Sequence, residues 1–145
     1  MLRLCAIMAA TDPWITLGFT FDALTELVND PLNTVYVALS GKEVTGTAVI
    51  QNRGAFAGYL KCIAVKEGWR NQHIGTKLIS HIEKEIFSVH ANVFLCVSSF
   101  NRKAQEFYKR LGYNVVGELK DYIIRGHSEI LMRKTRGPRM EYKPS

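Results

Sequence analysis

Apolar residues recur along this chain with two periods, and the switches between them mark its elements. The start through Ala10 reads as a helix, ended by Thr11-Asp12-Pro13. PWITLGFT reads as a loop that carries Trp14 and Phe19. Asp22 to Asn29 sets Leu24, Leu27 and Val28 on one side of a short second helix, stopped before Pro31. TVYVALS and EVTGTAVI are two β-rich runs around Ser40-Gly41-Lys42 and predict a hairpin. Gly46 inside the second run predicts a bulge or a close backbone approach. After the turn QNRGAFAG, GYLKCIAV is a third strand.

The helical period then takes over. Ile74, Leu78, Ile79, Ile82 and Ile86 form one apolar stripe, which predicts a helix over 74–87. ANVFLCVSS is a nearly continuous apolar run, as expected of a buried strand. Asn101 is placed to cap a helix over 102–111, with Ala104, Phe107, Tyr108 and Leu111 on one face and Gly112 ending it. YNVVGEL and HSEILMRK read as two closing strands, with Asp121 to Gly126 between them. A strand–helix–strand crossover makes strands 57–65 and 91–97 parallel. The expected fold is therefore a mixed α/β sheet covered by helices on both faces.

Composition narrows the setting. The 145 residues fit one domain, with 134–145 as a basic tail that reads as a solvated end. No apolar run approaches the ~20 residues of a membrane span. MLRLCAIMAA has one Arg and only seven apolar residues, Leu4 to Ala10, and reads as the first helix rather than a signal peptide. Cys5, Cys62 and Cys96 are odd in number and form no C-x-x-C pair, which argues against zinc or a disulfide framework. Cys62 and Cys96 fall in strands and read as buried reduced thiols, which suggests a reducing cytoplasm.

Charge changes the picture more. Residues 1–60 hold three Lys/Arg and five Asp/Glu, whereas residues 61–145 hold sixteen and eight. The second half thus carries +8 and calls for an anionic partner, a nucleic acid or a polyphosphate cofactor. The basic residues are spread among acids, and no helix-turn-helix, zinc-finger or RNA-binding signature appears, which argues against nucleic acid.

A polyphosphate has a candidate place to bind. RNQHIGTKLI, residues 70–79, stands where the third strand hands over to the helix. A helix N-terminus offers unpaired N–H groups and partial positive charge, and slim Gly75 lets an anion approach them. Neither a P-loop nor a dinucleotide fingerprint fits the stretch. It does resemble the pyrophosphate loop of the GNAT acetyltransferase superfamily, Q/R-x-x-G-x-G/A, with Arg70 first, Gly75 last and His73 in place of the first Gly. His is among the better substitutes if that position needs a left-handed backbone. SSFNRKAQEFYKRLGY resembles the later family motif N-x-x-A-x-x-x-Y-x-x-x-G-F/Y, with Asn101, Ala104, Tyr108, Gly112 and Tyr113 in register. The resemblance spans roughly residues 33 to 133.

The resemblance implies a GNAT-like, mostly antiparallel sheet with a central splayed parallel pair, and acetyl-CoA as cosubstrate. The pantetheine arm would pair with main chain of Ile63, Ala64 and Val65. The pyrophosphate would meet Arg70, Asn71, Gln72, His73, Ile74, Gly75 and Thr76, and Asn101 would hold the arm. Tyr108 matches the tyrosine that protonates the leaving sulfur, and Trp14, Phe19 and Tyr59 fall where the family walls its acceptor pocket. The implied reaction is transfer of an acetyl group to a primary amine of a small molecule or protein, with no metal. Some members carry a Glu on the first splayed strand where Tyr59 stands here. No base is assigned, and a water chain or an acid such as Glu118 or Glu129 stays open. That gap keeps a second reading alive, an acyl-CoA-binding sensor without turnover. No strand is readable ahead of the first helix, where the family has one, so either the domain begins late or a partner supplies that edge. A homodimer is left open.

Overall fold

The computed structural model describes residues 1–144. Three helices come first: α1 (Leu2–Ala9), α2 (Trp14–Leu17) and α3 (Phe21–Asn29). Then follow β1 (Asn33–Ser40), β2 (Glu43–Gln51), β3 (Tyr59–Val65), α4 (Ile74–Phe87), β4 (Asn92–Ser98), α5 (Arg102–Arg110), β5 (Asn114–Leu119) and β6 (Glu129–Thr135). The six strands form one sheet in the order β1-β2-β3-β4-β6-β5. Every neighbouring pair is antiparallel except β3 and β4.

Helices cover both faces. On one, Leu78, Ile79, Ile82 and Ile86 of α4 pack with Ala48, Ile50, Leu60 and Leu95, joined by Tyr108 and Tyr113. On the other, Leu4, Met8, Leu24 and Val28 of α1 and α3 pack with Val49, Cys62 and Ala64. Gly46 serves both of its predicted roles. Its pairing with Ala38 lies beside a register shift, and a Cβ there would stand 3.1 Å from the Ala64 carbonyl and 3.2 Å from both Ile74 and Leu78. Even an alanine there would make the Ala64 carbonyl and the Ile74 and Leu78 side chains give way by a few tenths of an ångström.

The feature that matters most for function is a bulge in β3. Val49 pairs with Cys62 and Ile50 with Leu60, so Lys61 is an extra residue with no partner on β2. Leu60 consequently faces the α4 layer, while Cys62 and Ala64 face the α1–α3 layer. A bulge bends its strand and raises the local twist. Beside this one, the parallel ladder of β3 and β4 ends after Tyr59–Phe94 and Leu60–Leu95. Beyond it, β3 continues with β2 and β4 continues with β6, so the sheet opens between them.

Three expectations need correction. PWITLGFT is not all loop: Asp12 accepts from the Thr16 N–H and hydroxyl, and Trp14–Leu17 closes into one helical turn ended by left-handed Gly18. The basic tail is not simply a solvated end. The Arg136 guanidinium lies 4.2 Å from the Phe87 ring centre, and the Tyr142 hydroxyl donates to the Phe87 carbonyl at the end of α4. Cys96 is not buried in the core but half-buried along the opening, unlike Cys5 and Cys62.

Candidate active site

Two of the longer helices close their N-termini with a side chain. Thr20 accepts from Ala23 N–H at the start of α3, and Asn101 from Ala104 N–H at the start of α5. Helix α4 does not. Its cap residue, His73, makes no side-chain cap bond, no acid stands in the first turn, and the first intrahelical bond is Lys77 N–H to the His73 carbonyl. The amides of Ile74, Gly75 and Thr76 are therefore left for another acceptor. They line a cavity of about 560 Å³.

The loop that enters α4 is held open by its backbone and its anchors. Asn71 and His73 both take left-handed φ, 62° and 61°. His73 thus adopts the conformation for which a glycine would be the ordinary choice. Glu43 of β2 ties the loop down, accepting from Lys66 Nζ at 2.6 Å and Trp69 Nε1 at 3.2 Å; these contacts hold its carboxyl below the usual range. Gly75 is not required by the protein's own packing. Its φ is ordinary, and a Cβ there would meet only Phe107 at 3.7 Å and Val65 at 3.9 Å. That added carbon would project into the cavity instead.

Arg70, Lys103 and Arg110 line the same cavity, and among the described residues no carboxylate does. The Arg70 side chain turns back, donating to the Val65 carbonyl at 3.4 Å and the Thr11 hydroxyl at 3.3 Å. Gln72 turns away, bonding the Gly68 carbonyl and facing a separate groove between β1 and α4. Lys103 and Arg110 were not legible as site residues, because RKAQEFYKR was read for its apolar face. Their spacing of seven, two helical turns, was the available signal.

The opened edge of β3 adds main-chain groups. Lys66 N–H bonds the Thr45 carbonyl, and antiparallel ladders alternate, so Ala64 directs its N–H and C=O at β2. Ile63 and Val65 direct theirs into the opening, as the Arg70 bond to Val65 independently shows.

A second cavity, of about 330 Å³, continues along the opening. Trp14, Phe19, Tyr59 and Asn101 line it, together with Cys96, Tyr122 and Glu129, and Ile63, Ala104 and Tyr108 are common to both cavities. Trp14 is buried, whereas Phe19 stands at the mouth. Tyr108 is buried with its ring edge-on to Phe107 and Tyr113. Burial, aided by nearby Cys62, pushes its phenol far above the ordinary value, so it stays protonated. Tyr59 is pushed up in the same way, first by burial and then by Cys96 beside it. Burial also pushes the Cys62 thiol up to about 12. Of the two acids left open by the sequence, Glu118 is exposed on β5, and Glu129 is buried against this cavity.

An unsatisfied helix N-terminus, a cation-lined cavity and a protonated tyrosine at its inner end are now in one place. The chain also matches the acetyltransferase (GNAT) family over residues 3–113. The chain belongs to the GNAT acetyltransferase family. Its fold is shared by solved structures. A GNAT-family structure from Desulfovibrio desulfuricans is 20% identical with a TM-score of 0.77, over 92% of this chain and 91% of that one. An aminoglycoside 6′-acetyltransferase type Ii is 26% identical with a TM-score of 0.75, over 94% and 90%. An aminoglycoside 6′-N-acetyltransferase complexed with coenzyme A is 22% identical with a TM-score of 0.73, over 94% and 91%. A search of curated proteins returns no match. Among the described residues, no helix of this GNAT-family chain is long and apolar enough to cross a membrane.

Proposed function

We propose that this chain is an N-acetyltransferase that moves the acetyl group of acetyl-CoA to a primary amine. The observation that carries the reading is the position of Tyr108, shared by the cation-lined cavity and the smaller one beside it. The residues present suit the cosubstrate. The free amides of Ile74, Gly75 and Thr76, with Lys103 and Arg110, would hold its diphosphate. Main-chain groups of Ile63 and Val65 would pair with its pantetheine arm as an added strand. When bound, acetyl-CoA supplies an acyl group already activated as a thioester.

The chain's own residues then have separate tasks. An N–H of the opened β3 edge stabilises negative charge on the acyl oxygen. Tyr108 gives its proton to the departing sulfur; burial keeps the phenol protonated beforehand while making it a weaker acid than a free phenol. Trp14, Phe19 and Tyr59 wall the space for the amine.

Calorimetry with acetyl-CoA and detection of free CoA thiol across an amine panel test this together. Micromolar binding with amine-dependent thiol release is expected. Binding without release under any amine would favour the acyl-CoA sensor, the reading that Tyr59 in place of a β3 carboxylate suggests. No binding at millimolar ligand would remove both.

A further inference from the structure

Among the described residues, Glu129 is the one buried residue that carries a formal charge, with 6% of its surface exposed. Two of the other three buried polar residues, Thr45 and Thr47, direct their hydroxyls at the Ala38 and Tyr36 carbonyls. Ser98 Oγ and Glu129 Oε2 do not find such partners. Their residues stand opposite each other on β4 and β6, and neither oxygen closes a hydrogen bond. Both line the smaller cavity. Leaving a buried carboxyl oxygen without a partner costs folding free energy. Such a group in a cavity wall indicates a partner that arrives from outside.

The rest of that cavity describes the partner. Phe19, Tyr122 and Ile123 are large apolar side chains left exposed at its rim, and Trp14 and Tyr59 lie deeper. Aromatic faces attract a cation as well as an apolar body. The only other acid in the lining, Asp12, is exposed and already accepts from Thr16, while Lys61 adds positive charge. The wall therefore has a place for one cation on an apolar arm. It has no set of carboxylates for a polycation, and an anionic acceptor would meet Glu129.

We propose that this cavity binds a primary ammonium group carried on an apolar arm, with Glu129 as the counter-ion that holds it and then takes its proton. The proposal rests on acetyl transfer being the reaction and names its acceptor class. The N–H bond breaks with its electron pair left on nitrogen, and the proton goes to Glu129. That pair forms the C–N bond to the acyl carbon, and the C–S bond breaks with its pair on sulfur. Tyr108 protonates the sulfur and regains a proton as nitrogen sheds its second one. Glu129 returns its proton to solvent, so one proton is released per amide formed.

Binding to the protein loaded with CoA, which cannot react, tests the site without requiring turnover. The probes are phenethylamine, a tetrapeptide with a free N-terminal Met, ethylamine, 2-phenylethanol and kanamycin. Phenethylamine or the peptide should bind more tightly than ethylamine and kanamycin, and which of the two does so identifies a small-molecule or protein acceptor. Glu129→Gln should weaken that ammonium about 10- to 100-fold, the span of a charge-assisted hydrogen bond. It should leave 2-phenylethanol and acetyl-CoA unchanged. Tyr122→Ala, at an exposed position, should weaken phenethylamine but not ethylamine. Tightest binding of kanamycin, indifference of every amine to Glu129→Gln, or no amine binding at all would overturn the proposal. Glu129-dependent binding without thiol release from acetyl-CoA would leave the site standing and remove the acetyl-transfer reading. Thiol release with kanamycin alone, unaltered by Glu129→Gln, would do the reverse.

Discussion

The two cavities along the opened sheet share Ile63, Ala104 and Tyr108 but are opposite in charge. The larger has three cations, a helix start without a cap and no carboxylate among the described residues. The smaller has a buried acid, Glu129, one of whose oxygens is left without a partner. A bulge at one residue, Lys61, lies where the strands separate and makes room for both. The difference gives the proposed cosubstrate and the proposed ammonium opposite ends of one cleft. It also separates charge that serves a site from charge that only solvates. The +8 of the second half is a bulk property, whereas Lys103 and Arg110 face a defined cavity.

The sharpest way to break the larger cavity is Gly75→Asp. A carboxylate about 4 Å from a phosphate charge costs on the order of 4 kcal/mol at the effective dielectric of a protein surface. Acetyl-CoA affinity should fall about 10³-fold by calorimetry. Gly75→Ala is the control for packing, because its Cβ meets only ordinary contacts. It should hold or raise thermal stability, by about 0.5–1 kcal/mol for a helical Gly-to-Ala change, while still weakening the cofactor. Loss of stability with unchanged affinity would make Gly75 a structural residue.

Next in size is Tyr108→Phe, at the point the cavities share. Loss of a general acid should lower kcat about 10²-fold, the low end for such groups, with acetyl-CoA affinity nearly unchanged. Equal losses in both would show that the phenol only packs.

The sequence carried local rules well and long-range ones poorly. The 74–87 helix was read to the residue because its apolar stripe needs no other element. His73 could be read as left-handed only on the condition that the family glycine it replaces needed that backbone, and Asn71 takes the same conformation with no hint at all. The bulge at Lys61 left no mark, since YLKCIAV keeps its alternate burial through the parity switch. The turn of Trp14–Leu17 is closed by Asp12 bonds to Thr16 that a Pro-led segment hides. Glu129 was the hardest to place. An acid beside an apolar run ordinarily sits in water, and only its place on β6 between Ser98 of β4 and Leu119 of β5, against the smaller cavity, buries it.

A smaller effect sharpens the charge contrast. Arg110→Ala and Lys103→Ala change exposed side chains, so each should weaken acetyl-CoA only about two- to fivefold. Raising salt should shrink those differences further, since the Debye length is about 10 Å at 0.1 M and exposed charges are screened. Amine binding at Glu129 should respond less, because buried pairs are screened much less. Equal salt slopes at both ends would mean that the cavities differ in lining but not in electrostatic environment.

The smallest effect is read on folding alone. Burial raises the Glu129 carboxyl above its ordinary value of 4.5, and Ser98 alongside pulls it only partly back. The folded chain thus keeps a proton that the unfolded chain releases, so stability falls as pH climbs from the unfolded pKa through the folded one. Glu129→Gln has no proton to hold. Its thermal midpoint minus that of the wild type should be small and constant below the carboxylate range. It should grow in the variant's favour as pH rises, then level off once the folded carboxyl has ionised. Groups common to both proteins cancel in this difference. A gap that is the same at every pH would mean the carboxyl is well solvated in the folded chain. The smaller cavity would then lack the buried carboxyl that sets it apart from the larger one.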